Sequence, residues 1–161
     1  MSFEDRIDRF CERYPSAPKQ PITASRLIFR VATHLDRHID AALAPFGIDR
    51  RQYLLLAMLV SARDVSTITP SELGTTLDAT RTQITRLLDA LEAKSLVRRL
   101  HTRKDRRSLA IELTTTGSSL IGKAAPVVHA AYQEVWRGLD TAQLGSLIEQ
   151  LRLLDRAAPQ D

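Results

Sequence analysis

The sequence predicts a mainly α fold that carries one small β-hairpin, and three observations lead there. Capping boxes, in which Asp or Thr precedes Gln or Glu by three residues, recur at Asp49-Arg50-Arg51-Gln52, Thr69-Pro70-Ser71-Glu72 and Thr80-Arg81-Thr82-Gln83. Each stands where a helical apolar pattern begins. Two of the helices so opened are short and separated only by Asp78-Ala79, the spacing of a helix-turn-helix. Beyond them, Leu96 to His101 and Ser108 to Thr114 read as two strands around the basic loop Thr102-Arg103-Lys104-Asp105-Arg106-Arg107.

Taken in order, Ile7, Phe10, Cys11 and Tyr14 fall at helical spacing in a charged stretch, a short amphipathic arm stopped by Pro15. Ser16 to Pro21 reads as a linker. A long helix is expected from about Thr23 to Ala44 along the line Leu27, Val31, Leu35, Ile39 and Leu43, ended by Pro45-Phe46-Gly47. The helix opened by Asp49 runs to about Ala62. It is apolar nearly all round, so it should be the most buried element. Arg63 to Thr67 is a polar loop. The next helix has proline at its first position, where no N–H is needed, and runs to about Leu77. The helix after the turn runs to about Lys94 with Ile84, Leu87, Leu88 and Leu91 facing inward.

In the second strand, Leu109, Ile111 and Leu113 alternate with Ser108, Ala110 and Glu112, a half-buried pattern. A long helix then extends to about Arg137, with Leu120, Ala124, Val127, Val128, Ala131 and Val135 on one face. Pro126 inside it should kink it, because the ring removes one backbone bond. Asp140-Thr141-Ala142-Gln143 caps the last helix. Its narrow stripe of Leu144, Leu147, Ile148, Leu151 and Leu154 suits a helix–helix seam.

The bulk numbers fit one well-packed unit, or one core with a smaller lobe, in 161 residues. With 43% hydrophobic residues the chain can bury a core. The net charge of +4 is uneven. Between Arg81 and Arg107 nine basic residues face three acidic ones, a local excess of six, so the rest of the chain is slightly acidic. Such an excess on one segment points to a polyanion. One cysteine, Cys11, excludes a disulfide framework and a thiolate metal cluster. The longest apolar run, Tyr53 to Val60, is far too short for a bilayer. The start, Met1-Ser2-Phe3-Glu4-Asp5, lacks an apolar signal core. A soluble, cytoplasmic protein without membrane contact is expected. No nucleophile elbow, phosphate loop, metal triad or carboxylate pair stands in the sequence, so no enzyme and no cofactor are expected.

On a helical wheel based on the inward stripe, Thr82 and Arg86 of the second short helix point straight out. Thr85 and Asp89 lie beside them, with Arg81 and Gln83 in the first turn. Helix-turn-helix proteins set the N-terminal part of this helix against base edges in the major groove. Gln83 can pair bidentately with adenine and Arg81 or Arg86 with guanine, and the threonines can reach phosphate or a thymine methyl. Ser71, with the free N–H groups at its helix start, can hold a phosphate. Asp89 is a poor ligand for DNA and should anchor Arg86 or a strand arginine. Arg103, Lys104 and Arg107 on the hairpin loop suit a narrow minor groove, with Asp105 holding the Arg107 guanidinium in a fixed fork.

Asp105-Arg106-Arg107 followed by Leu113-Thr114 resembles the wing signature of the MarR family of bacterial regulators: Asp, any residue, Arg, then Leu-Thr. Pro70-Ser71-Glu72-Leu73, Arg81-Thr82, Thr85-Arg86, Asp89 and Leu91-Glu92 also fit, and the likeness covers roughly residues 23 to 156. Pro126 and Trp136 bring it nearest to the multidrug-efflux repressors of that family. Ser95 stands where the family usually has glycine.

The resemblance implies a winged helix-turn-helix DNA-binding domain at residues 49–114. A helical dimerisation region would comprise residues 23–48 and 115–161, and residues 1–22 would be an N-terminal arm. It implies a homodimer that binds double-stranded DNA at a pseudo-palindromic operator, acting as a repressor. Release by a small aromatic or phenolic acid is also implied. Arg26, Arg30, His34 and His38, spaced along the long helix beside Leu27, Val31 and Leu35, are the candidates to hold such an acid. The alternative for His34 and His38 is a half-buried place in a dimer interface; as a metal pair they lack a third ligand. Two other readings are open: a regulator switched by oxidation of Cys11, although that residue lies on an apolar line, and a winged module that binds protein rather than DNA.

Overall fold

The computed structural model describes residues 2–61, 70–101 and 109–157. Its helices and strands are α1 (Phe3–Arg13), α2 (Lys19–Leu43), α3 (Arg50–Ser61), α4 (Pro70–Thr76), α5 (Arg81–Ala93), β1 (Val97–His101), β2 (Leu109–Leu113), α6 (Thr115–Trp136) and α7 (Thr141–Ala157). A 3-10 turn over Ala44–Phe46 follows α2. The chain falls into two compact units, residues 1–38 and residues 39–161.

In the first unit, α1 opens on a capping box not anticipated from the sequence. The Ser2 hydroxyl accepts from the Asp5 N–H at 3.1 Å, and the Asp5 carboxylate accepts from the Ser2 N–H at 2.6 Å. Ile7 is buried, Cys11 is half-buried, and the Phe10 and Tyr14 rings stack in a tilted pair 4.9 Å apart. Helix α2 starts at Lys19, four residues earlier than expected, and the linker shortens accordingly. Pro21 lies in the first turn of α2, where its missing N–H has no partner to lose. Lys19 also pairs with Asp8 at 2.6 Å, across the turn between the two helices.

In the second unit, α2 ends as the residue pattern requires: Gly47 takes φ +65, a left-handed conformation that glycine adopts at no steric cost. The start of α3 is doubly capped. The Asp49 carboxylate accepts from the Gln52 N–H at 2.8 Å, and the Asp40 carboxylate accepts from the Arg50 N–H at 2.8 Å. Helix α3 is densely buried through Gln52, Tyr53, Leu55, Leu56 and Leu59, but it is not covered all round, because Val60 is 54% exposed.

The core of this unit joins Ile39 and Leu43 of α2, the buried face of α3, Leu73 of α4, Ile84, Leu88 and Leu91 of α5, Val97 and Ile111 of the hairpin, and Ile121, Ala124 and Val128 of α6. The hairpin is antiparallel, with Val97 opposite Leu113, Arg99 opposite Ile111 and His101 opposite Leu109. Its alternation is imperfect, since Ala110 is buried as well as Ile111.

Helix α6 runs unbroken past Pro126. Its buried line is Gly117, Ile121, Ala124, Val128 and Ala131; Val127, expected on that face, is 41% exposed. No residue of α7 is buried. Its expected seam is half-buried at Leu144 and Leu147 and uncovered further along in the single chain, with Leu151 40% and Leu154 58% exposed. No described helix is long and apolar enough to cross a membrane.

Candidate nucleic-acid interface

The helix-turn-helix is built by two tight terminations. After α4, Asp78 takes φ +46, and the Ala79 N–H returns to the Gly74 carbonyl at 2.9 Å. Gly74 permits this closure, because a Cβ there would stand 3.0 Å from the Ala79 carbonyl oxygen. Helix α5 then opens on Thr80, whose hydroxyl accepts from the Gln83 N–H at 3.3 Å while the Gln83 side-chain oxygen accepts from the Thr80 N–H at 2.8 Å. At its far end, Ser95 takes φ +56, the Leu96 N–H reaches the Leu91 carbonyl at 3.0 Å and the Ser95 N–H reaches Glu92 at 2.8 Å. This is the Schellman closure, with serine where glycine would be relaxed. Lys94 fastens the same end, donating to the Gly47 carbonyl at 2.5 Å and to buried Gln52 at 3.1 Å.

With Ile84, Leu88 and Leu91 buried, the opposite face of α5 is presented outward. Arg81, Thr82, Gln83, Thr85 and Arg86 are all exposed, as is Ser71 in the first turn of α4. Two of the expected roles are constrained. The Gln83 side-chain oxygen also accepts from the Thr80 hydroxyl at 3.1 Å, so a bidentate contact with adenine would have to open the capping box. Opening it costs on the order of 1 kcal/mol. The Thr85 hydroxyl donates back to the Arg81 carbonyl at 2.9 Å, which leaves its oxygen lone pairs and methyl for a partner.

Asp89 pairs with a strand arginine, one of its two expected partners: Arg99 on β1, at 2.5 Å. Arg86 has no ion pair among the described residues. Arg103, Lys104, Asp105 and Arg107, and with them the expected fork between Asp105 and Arg107, lie outside the described residues, as does Thr69 of the α4 box.

Two features carried no clear signal in the sequence. A cleft of about 300 Å³ opens beside α5, with Leu77, Ala79, Ile84 and Leu87 as its apolar lining and Arg86, Gln83 and Arg51 at its polar edge. Arg51 stands in the first turn of α3, distinguished only by its charge. The second feature is Arg99, which meets Glu92 as well as Asp89. On β1, the Arg98 guanidinium pairs with Glu112 across the strands; the hydrogen bond from Arg98 outweighs the opposing effect of burial and, with the lesser pull of the Arg98 charge, holds the Glu112 carboxyl below its ordinary range.

Arg26, Arg30, His34 and His38 are exposed along α2 in the single chain. No group of acidic, histidine or cysteine side chains among the described residues could hold a metal ion.

Residues 46–108 match the MarR family profile. The transcriptional repressor MprA of Escherichia coli K12 is 30% identical over 142 residues, covering 88% of this chain and 80% of that protein. The chain belongs to the MarR family. The multiple antibiotic resistance protein MarR of Escherichia coli K12 is 32% identical over 127 residues, 78% of this chain and 86% of that one. A crystal structure of a cysteine-to-serine mutant of Escherichia coli MarR with operator DNA superposes with a TM-score of 0.75 at 30% identity, covering 87% of this chain and 96% of that chain. The likeness expected on Pro126 and Trp136, to the MprA type of repressor, is therefore among those found. This MarR-family chain is a winged helix-turn-helix protein and a transcriptional regulator, not an enzyme.

Proposed function

We propose that the chain is a DNA-binding repressor that grips a pseudo-palindromic operator as a homodimer and lets go when a small aromatic or phenolic acid binds. The observation that carries the reading is the outward row of Arg81, Thr82, Thr85 and Arg86 on a helix whose other face is locked into the core. A rod presented in this way suits the major groove, with the first turn reading base edges. The hairpin, with Arg103, Lys104 and Arg107 on its loop, suits the adjacent minor groove. A MarR solved on operator DNA at 30% identity supports the same use of the fold.

Two copies are favoured by the apolar residues one copy leaves uncovered. Leu27, Ile28 and Phe29 of α2 form one such group, and Ile148, Leu151, Leu153 and Leu154 of α7 another. Patches of this kind mark surfaces that a partner covers. Two helix-turn-helix units related by a twofold axis would meet half-sites about one helical turn apart. For the effector, Arg26, Arg30, His34 and His38 offer positive or titratable groups beside Leu27 and Val31. A cation next to an apolar wall is what a ring bearing a carboxylate needs.

Sedimentation and a salt series on DNA from upstream of the gene test the reading together. A dimer is expected, with log affinity falling steeply against log salt by about 0.9 for each phosphate neutralised. A monomer, or attachment insensitive to salt, would overturn it. Within that framework Arg107→Ala weakens binding across all sequences, whereas Gln83→Ala relaxes preference at one base pair by about 1–3 kcal/mol. Footprints with and without aromatic acids test the effector, and protection that persists at every concentration refutes release.

A further inference from the structure

Arg99 holds more partners than any neighbouring cation described on the hairpin. Its backbone N–H donates to one Glu92 carboxylate oxygen at 3.2 Å, and its Nη1 donates to the other at 3.0 Å. Its Nη2 donates to Asp89 at 2.5 Å and to the Thr85 carbonyl at 3.4 Å. Thr85, Asp89 and Glu92 are spaced four and three residues apart, so they form one line down α5. One planar guanidinium on β1 is thus laid along almost two turns of the helix. Lysine could not copy this, since an ammonium offers a point charge rather than a fork.

The line matters because of where it leads. Its upper end is Arg81 and Thr85, on the face proposed to meet DNA, and Asp89 lies one turn further on with its side chain 56% exposed. A bare carboxylate there would stand beside the phosphates that Arg86 and Arg81 are meant to approach. Arg99 itself is only 25% exposed, so it is turned toward the helix rather than outward.

We infer that Arg99 is a positioning residue for DNA recognition: it ties the wing strand β1 to α5 and cancels the charge of Asp89 on the DNA-facing side, without touching DNA itself. The inference rests on the DNA-binding reading above. It makes Asp89 the reason that Arg99 is needed, so removing both should be less harmful than removing Arg99 alone.

The test compares operator affinity, by fluorescence anisotropy at fixed low salt, for the full chain, Arg99→Met, Asp89→Asn and the double variant. Arg99→Met should weaken binding about tenfold, the effect of one uncompensated like charge close to the phosphates together with a loosened strand. Asp89→Asn should change affinity by no more than about twofold, because Glu92 still holds the arginine. The double variant should recover to within about threefold of the unmodified chain, although thermal melting finds it no more stable than Arg99→Met. Its salt slope should match that of the unmodified chain, since net charge is preserved. A double variant as weak as Arg99→Met overturns the inference. So does a slope reduced by about 0.9 in the double, which would make Arg99 a direct phosphate contact. Should Arg99→Met fail to fold, the neutral and polar Arg99→Gln takes its place, with a similar loss that Asp89→Asn again relieves; the absence of that relief overturns the inference equally. If the unmodified chain shows no salt-sensitive attachment, the DNA-binding reading has failed instead.

Discussion

Replacing Gly117 with alanine sets two physical effects against each other, and the structure decides between them. Gly117 lies in the first turn of α6. Alanine inside a helix is favoured over glycine by roughly 0.5–1 kcal/mol, so helix propensity alone predicts a more stable protein. Here the added Cβ would stand 2.2 Å from the Leu96 carbonyl oxygen and 2.8 Å from the Leu113 Cδ1. An ordinary carbon–oxygen approach is about 3.3 Å, so the backbone at Leu96 must retreat by about 1 Å. That carbonyl accepts from the Thr114 N–H and the Thr114 hydroxyl, each at 3.1 Å, and both bonds stretch as it moves. Overpacking of this kind costs about 1–3 kcal/mol, and each weakened bond adds up to about 1 kcal/mol. The balance is a loss of about 2–3 kcal/mol, or a fall in Tm of about 4–12 °C in a chain of this size. Thermal melting and urea titration read it, with the midpoint falling at constant m. Gly122→Ala is the internal control, because a Cβ there meets nothing within 4 Å and only the propensity gain remains. An unchanged or higher Tm for Gly117→Ala would refute the packing argument.

Ser95→Gly should stabilise the protein by about 0.5–1 kcal/mol, visible as a higher urea midpoint, because φ +56 strains any residue with a Cβ. Thr114→Val removes the hydroxyl that caps Gly117 N–H at 3.0 Å and donates to the Ser95 carbonyl at 2.7 Å. A loss of about 1–2 kcal/mol is expected in the same melts. Because Arg98 holds the Glu112 carboxyl below its ordinary range, their pairing supports the fold above the unfolded carboxylate pKa and fades as pH falls through the lower folded value. The midpoints of the unmodified chain and Glu112→Gln should therefore differ at neutral pH and converge in acid; a gap that widens in acid would contradict the sign.

How much of the molecule is legible in its sequence depends on distance along the chain. Caps are local, and Asp49 with Gln52 and Thr80 with Gln83 announce their helices because donor and acceptor lie three residues apart. The same locality misleads at Pro21, which reads as part of a linker although proline is at ease in a first helical turn. The partner of Asp89 narrows to Arg86 or a strand arginine. The choice of Arg99 needs the hairpin register, which sets Arg99 opposite Ile111 on the face packed against α5. Hydrophobic spacing identifies the stripes of α6 and α7 without saying what covers them, and Val127 and Leu154 are bare in one copy. Arg51 is invisible because nothing in the sequence says that the first turn of α3 borders the same cleft as Arg86.

Helix α5 is fastened at three points, and none of the fastenings uses the side chains of Arg81, Thr82 or Arg86. Its start is held by Thr80 and Gln83, its middle by Arg99, and its end by the left-handed turn at Ser95 with Lys94 reaching Gly47 and Gln52. Side chains that must find base edges gain affinity when the rod beneath them is already ordered, because less conformational entropy is lost on contact. Gln83 breaks the pattern, since one amide serves both the cap and the expected base contact. If adenine recognition recruits it, the Thr80 cap opens at the moment of binding and part of the contact energy is spent there. A specific base contact by Gln83 should then be weaker than the same contact made by Arg86, whose guanidinium has no ion pair to break among the described residues.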